Sequence, residues 1–232
     1  MFPVGDDRVP GGPPPLITVG LVVLNVLAFL FELSQPSGAL QSFIQAWGVV
    51  PREYAQAHDI APMIPLPFWS TLITSMFLHG GWMHLGGNML YLWIFGDNVE
   101  DRFGHFKFLI FYLLTGIAAT FAQYYVMPDS SVPNVGASGA IAGILGAYIL
   151  MFPQARVNVL VGRQMVAMPA LIVLGLWIAL QMFSGVGAIA YTDESTRDVG
   201  GVAYMAHVGG FVAGLLMTFL FRGSGGNPPI SA

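Results

Sequence analysis

The residues of this chain that could do chemistry are few, and they sit in apolar surroundings. Ser138 lies in Gly136-Ala137-Ser138-Gly139, where small residues open an apolar segment. A serine at the start of a helix adjoins backbone N–H groups that have no intrahelical partner. Those groups could hold the negative oxygen that forms when a hydroxyl attacks a carbonyl carbon. Flanking glycines let another backbone come close. A serine hydroxyl is a weak nucleophile until a base takes its proton. His207, in Ala206-His207-Val208-Gly209-Gly210, is the candidate for that base. His84 and Asn88 are four residues apart and so share one helix face, with donors that could point into a common cavity.

Each of these residues also has a plainer reading. A serine in an apolar helix commonly bonds the carbonyl four residues back, or a neighbouring helix. A lone histidine there is often a packing or proton-handling group. His84 and Asn88 could tie two helices together. With His207 they could hold a metal, although only two of the three are good ligands and no carboxylate in a span joins them. The conjunction favours chemistry, because three apolar segments carry these groups and two of them also carry Gly139-x-x-x-Gly143 and Gly210-x-x-x-Gly214. Small residues at that spacing let membrane helices approach backbone to backbone. A hydrogen bond of about 3 Å between Ser138 and His207 requires such an approach.

The surroundings follow from composition. Of 232 residues, 55% are hydrophobic and only 9% charged, with a mean hydropathy of +0.69. An ordinary soluble domain is roughly 25% charged, so this chain has too little polar surface to face water and reads as a membrane protein. The net charge of -4 is unclustered, and no basic stripe points to nucleic acid. The absence of cysteine excludes disulfides, thiolate metal sites and a cysteine nucleophile.

The positioning elements are read from the apolar runs. Residues 1–15 are rich in proline and glycine and read as an exposed tail. Runs at 16–33, 82–95, 106–127, 136–152, 165–183 and 201–221 predict six spans. The apolar stretch 68–96 is too long for one crossing of roughly 20 residues. Gly80-Gly81 divides it, and its first part reads as a loop segment dipping into the membrane. A polar loop holding Asp193, Glu194, Arg197 and Asp198 separates the last two spans. An even number of spans puts both ends on one side. With that side cytoplasmic, Arg8, Arg102, Lys107, Arg156, Arg163 and Arg222 fall inside, and only Arg52 and Arg197 fall outside, as the positive-inside rule expects. No long internal repeat supports an inverted-repeat transporter.

On Gly136-Ala137-Ser138-Gly139, Ala206-His207-Val208-Gly209-Gly210, His84-Leu85-Gly86-Gly87-Asn88 and Glu100-Asp101-Arg102, the chain resembles the rhomboid family of intramembrane serine proteases, from about residue 47 to residue 222. The resemblance implies an all-α polytopic membrane protein. Its six-transmembrane-helix bundle would occupy 16–222, with a membrane-inserted first loop at 67–81, a flexible cytoplasmic tail at 1–15 and a second flexible tail at 223–232. It implies Ser138 as nucleophile and His207 as general base in a dyad without an aspartate. The oxyanion would be bound by the Ser138 backbone N–H, His84 and Asn88. The cavity would open to the extracytoplasmic side, gated by the fifth helix and the loop after it.

The implied partners are the lipid bilayer and single-span membrane proteins, cut in or near their transmembrane segments, in the cell membrane with both termini cytoplasmic. No metal, nucleotide or other cofactor is expected, since no phosphate-binding glycine loop follows a strand pattern. Two positions depart from the family. Ala142 stands where some members carry a tyrosine stacked on the base, and Trp69 is followed by Ser70 rather than arginine. A catalytically inactive relative that binds membrane clients is the alternative reading. A solute channel or transporter is a third, for which polar pore residues should recur along several helices. Oligomeric state is not legible.

Overall fold

Where no water is available, a chain must close its backbone hydrogen bonds on itself, so apolar runs form helices. The computed structural model describes residues 2–7, 12–36, 38–191 and 203–222. In chain order the helices are α1 (Leu16–Leu33), α2 (Ala39–Trp47), α3 (Pro51–Gln56), α4 (Thr71–Thr74), α5 (Trp82–Phe103), α6 (His105–Val126), α7 (Ser138–Met151), α8 (Ala170–Tyr191) and α9 (Tyr204–Phe221). Four of them, α1, α6, α8 and α9, contain an 18-residue stretch long and apolar enough to cross a membrane. The helix α7 is apolar but shorter. The helix α5 is 22 residues long and ends in the polar run Asp97, Asn98, Glu100, Asp101 and Arg102. The protein is therefore a mostly helical, polytopic membrane protein.

The helix α7 is central. Residues 139–148 are all buried, and a helix apolar on every side must be surrounded by others. Its glycines set the spacing. A Cβ on Gly139 would lie 2.6 Å from Ala119 Cβ of α6, and one on Gly214 of α9 would lie 2.6 Å from Gly143 Cα. The two glycine pairs, 139/143 and 210/214, thus face each other backbone to backbone. On the α5 side Phe95 meets Tyr148 edge-on, with ring centroids 5.0 Å apart.

The polar run of α5 explains how α1 begins. No side chain of its own caps α1, and first-turn N–H groups lack intrahelical partners. Buried Glu100 supplies them. Its carboxylate accepts from the N–H of Ile17 at 2.8 Å, the N–H of Thr18 at 2.7 Å and the Thr18 hydroxyl at 2.7 Å. A carboxylate at a helix N-terminus is also favoured by the helix dipole.

Several boundaries differ from the sequence expectation. The second span continues from 95 to Phe103, because its polar end is buried against α1 rather than exposed. Residues 165–169, expected at the start of the fifth span, belong to a hairpin instead. Strands β2 (Arg156–Val161) and β3 (Gln164–Pro169) pair antiparallel around Gly162, whose φ of +62° suits a tight turn. A short apolar run has no hydropathy signature that separates strand from helix. The segment before α5 is a series of short turns, Phe68–Ser70, α4 and Ser75–Phe77, with Thr71, Ser75 and Met76 buried. The polar loop with Asp193, Glu194, Arg197 and Asp198 and the tail 223–232 lie outside the described residues.

For residues 2–6 the structure corrects the exposed tail, whereas residues 12–14 are exposed and residues 1 and 8–11 lie outside the described residues. Phe2–Asp6 forms strand β1, which pairs antiparallel with β2, so the sheet order is β1-β2-β3. Its anchor is Asp6, whose carboxylate accepts from the Tyr148 hydroxyl at 2.5 Å and from Asn98 Nδ2 at 2.8 Å. Burial, with Asp97 and Asp7 nearby, pushes the Asp6 carboxyl up to about 7. The folded state then holds a proton that the unfolded chain releases. The anchor is at full strength below the usual carboxylate range and weakens as pH rises through about 7. Amides of Phe2 and of residues 4–6, corrected for intrinsic exchange, should be better protected at pH 5 than at pH 8. Asp6→Asn should flatten the difference, and equal protection in the unaltered protein at both pH values would contradict this assignment.

Candidate active site

Two loops fix the start of α7. Asn134 exchanges backbone hydrogen bonds with Val49 at 3.1 and 2.7 Å, and the Gly136 N–H donates to the Ser75 carbonyl at 2.8 Å. Gly136 has a φ of +120°, a conformation side chains disfavour. It also leaves no room for a side chain, since a Cβ there would lie 2.8 Å from His84 Nε2 and 3.6 Å from Asn88 Nδ2. Ser138 follows as the first residue of α7.

His207 lies in the first turn of α9, which is tied to α6 where Gln123 Oε1 accepts from the Ala206 N–H at 3.3 Å. The close approach of α7 and α9 brings Ser138 Oγ to 2.8 Å from His207 Nε2. On the other edge of the ring, His207 Nδ1 lies 2.7 Å from Gln181 Oε1 of α8. Trp177, one turn earlier on α8, presents its ring to His207 with centroids 5.9 Å apart and planes tilted by 35°.

The helix α5 brings His84 and Asn88 to the same place. The Gly80 N–H donates to His84 Nδ1 at 3.3 Å, which leaves the proton of a neutral ring on Nε2, facing Gly136. Behind it His79 packs edge-on, 5.1 Å between centroids, and the His79 N–H donates to the Glu32 carboxylate at 3.0 Å. Asn88 Nδ2 is buried and has no hydrogen-bond partner. Buried polar groups are normally paired, so Asn88 is a donor awaiting an acceptor.

All four residues singled out from the sequence, Ser138, His207, His84 and Asn88, line one open cavity of about 830 Å³. A hydroxyl beside an imidazole, with side-chain donors lining the same cavity, is an arrangement suited to acyl transfer. Among the described residues no group of three or more His, Cys, Asp or Glu could hold a metal ion. Sequence reasoning missed Gln181 and Trp177. A signal existed, because a glutamine within an apolar span is costly and needs a partner.

A family model described as Rhomboid domain matches residues 67–224. The chain is 29% identical over 154 residues to Rhomboid-like protein 11, chloroplastic, of Arabidopsis thaliana, covering 66% of this chain and 53% of that protein. It is 27% identical over 226 residues to Rhomboid protease AarA of Providencia stuartii, covering 88% and 72%. It is 34% identical over 136 residues to Rhomboid protease GluP of Bacillus subtilis, covering 58% and 24%. The chain thus spans about half the length of the chloroplast relative and about a quarter of GluP. The matched stretch contains α5 to α9 and every cavity side chain named above, and the chain belongs to the rhomboid family of membrane proteins.

Proposed function

We propose that the protein is an intramembrane serine endopeptidase that hydrolyses peptide bonds in or near transmembrane segments of membrane proteins. The observation that carries this reading is the 2.8 Å contact between Ser138 Oγ and His207 Nε2 at the wall of an open cavity. His207 takes the hydroxyl proton as Oγ bonds to the scissile carbonyl carbon. It returns that proton to the amine as the C–N bond breaks, leaving an acyl ester on Ser138. A water molecule, deprotonated by His207, then attacks the ester, and the proton goes back to Ser138 as the acid product leaves.

The tetrahedral oxyanion is held by the Ser138 N–H, His84 Nε2–H and Asn88 Nδ2–H. The unpaired Asn88 donor and the tautomer of His84 support these roles. A second space of only about 30 Å³ adjoins Ser138 between Met76, Gly116 and Ala119, which suits a small side chain at the cut. The excess of Lys and Arg on one side supports cytoplasmic termini in the plasma or inner membrane. No cofactor enters this chemistry.

The test is fluorophosphonate labelling of Ser138 together with cleavage of a single-span reporter. Absence of both from folded protein would favour the inactive, client-binding alternative. Asn88→Ala should separate the two readings further. Donors that act on charge present only in the transition state affect kcat more than KM. Loss of one typically costs about 10² to 10³ in rate. Asn88→Ala should therefore stay folded, bind substrate, and cleave at least about tenfold more slowly. A change confined to KM or to the thermal midpoint would reassign Asn88 to substrate binding or helix packing.

A further inference from the structure

We infer that Gln181 is a positioning residue for the base, holding His207 from α8 in the one tautomer able to accept the Ser138 proton. The inference rests on the protease reading above.

A carbonyl oxygen can only accept, so the 2.7 Å contact with Gln181 Oε1 places the imidazole proton on Nδ1. The Nε2 lone pair is then free for the Ser138 hydroxyl, 2.8 Å away. The reversed amide would donate to Nδ1 and move the proton to Nε2, leaving the hydroxyl proton with no acceptor. The contact therefore does for His207 what a hydrogen-bonded carboxylate does in a three-residue system, except that a neutral amide orients the ring without adding charge.

Geometry on α8 supports the assignment. Gln181 and Trp177 are four residues apart and so share a face, and both touch His207. The opposite flank of α8 is exposed at Leu176, Leu180 and Phe183. Ala142, four residues after Ser138, has only a methyl group and cannot orient a ring. The inner face of α8 thus supplies both an acceptor for Nδ1 and a ring beside the imidazole plane. An outward displacement of α8 would release both at once.

The test compares Gln181→Leu and Gln181→Glu with the unaltered protein. It measures the rate of Ser138 labelling by a fluorophosphonate, kcat and KM on a single-span reporter, pH profiles and thermal midpoints. Gln181→Leu should slow labelling and kcat together, by about tenfold or more, with KM little changed, since removing a partner that orients a histidine commonly has that cost. Gln181→Glu keeps an acceptor oxygen, so labelling should recover. Its added negative charge favours the imidazolium, so the ascending limb of the pH profile should move to higher pH. His84 and Tyr91 of α5 line the same cavity and Tyr204 lies one turn before His207, but they are common to all variants and do not produce the difference.

Undiminished labelling by Gln181→Leu overturns the inference. So does slow reporter cleavage with full labelling, which would mean a gate rather than a positioning role. If Gln181→Leu fails to fold, the Gln181→Glu profile decides, and an unmoved limb overturns the inference. Reporter cleavage that survives Ser138→Ala would instead overturn the protease reading.

Discussion

Ser138→Ala is expected to abolish cleavage of a single-span reporter while leaving the fold intact, and His207→Ala is expected to do nearly the same. Ser138 is half-buried at the cavity wall and its hydroxyl's side-chain partner is His207, so the substitution removes one polar atom and no packed carbon. Without Oγ no acyl ester can form. Without the imidazole, the hydroxyl keeps its proton and remains a weak nucleophile. In soluble serine proteases the loss of either residue costs on the order of 10⁶ in rate, about as much as losing both. The double variant should therefore be no slower than the single ones. The pH–rate profile of the unaltered protein should carry an ascending limb that His207→Ala lacks. The measurement is kcat for the three variants and the unaltered protein in one detergent, with thermal midpoints. Undiminished hydrolysis by folded Ser138→Ala would falsify the mechanism.

These residues were legible because of where they stand. In an apolar span a serine, a histidine or an asparagine is costly, so each one present asks for a reason. The glycine pairs 139/143 and 210/214 added geometry, since they require two helices whose backbones touch. Together they single out Ser138, His207, His84 and Asn88 from the sequence. The apolar runs also gave α1 and α5 to α9, and α1 and α6 begin and end within a residue of the runs that predicted them.

Other features were hidden for separate physical reasons. The hairpin of β2 and β3 reads as the start of a span because hydropathy counts apolar residues without regard to their period. The strand at Phe2–Asp6 owes its existence to β2, more than 150 residues away, and no local propensity announces such pairing. Gln181 was visible as a polar residue in an apolar run, but its partner was not. Which residue it meets depends on how α8 is rotated about its axis against α9, and the sequence defines that angle only coarsely. Glu100 shows the same limit. The Glu100-Asp101-Arg102 turn was recognisable, while its service to the first N–H groups of α1 follows only from the packing of α1 on α5.

Gly214→Val should have the largest structural effect of any single substitution here. A Cβ at Gly214 would sit 2.6 Å from both the Cα and the carbonyl carbon of Gly143. Both are backbone atoms of a buried helix and cannot rotate away, so α9 must move off α7. Overpacking a tight core typically costs about 1 to 3 kcal/mol even when side chains can adjust, and here they cannot. In lipid, helices are held together largely by close packing rather than by exclusion of water, so separating these two removes much of what holds them. The displacement also reaches the chemistry, because His207 lies two turns before Gly214 on the same helix and its 2.8 Å contact with Ser138 depends on the spacing of α7 and α9. Gly214→Val should accordingly lower the thermal midpoint and suppress Ser138 labelling together. Gly175→Ala on α8 is the control, since nothing lies within 4 Å of its Cβ position. There the gain in helix propensity, up to about 1 kcal/mol, should leave the midpoint unchanged or slightly raised. If Gly214→Val kept both its midpoint and its labelling rate, α7 and α9 could not be in backbone contact at this pair.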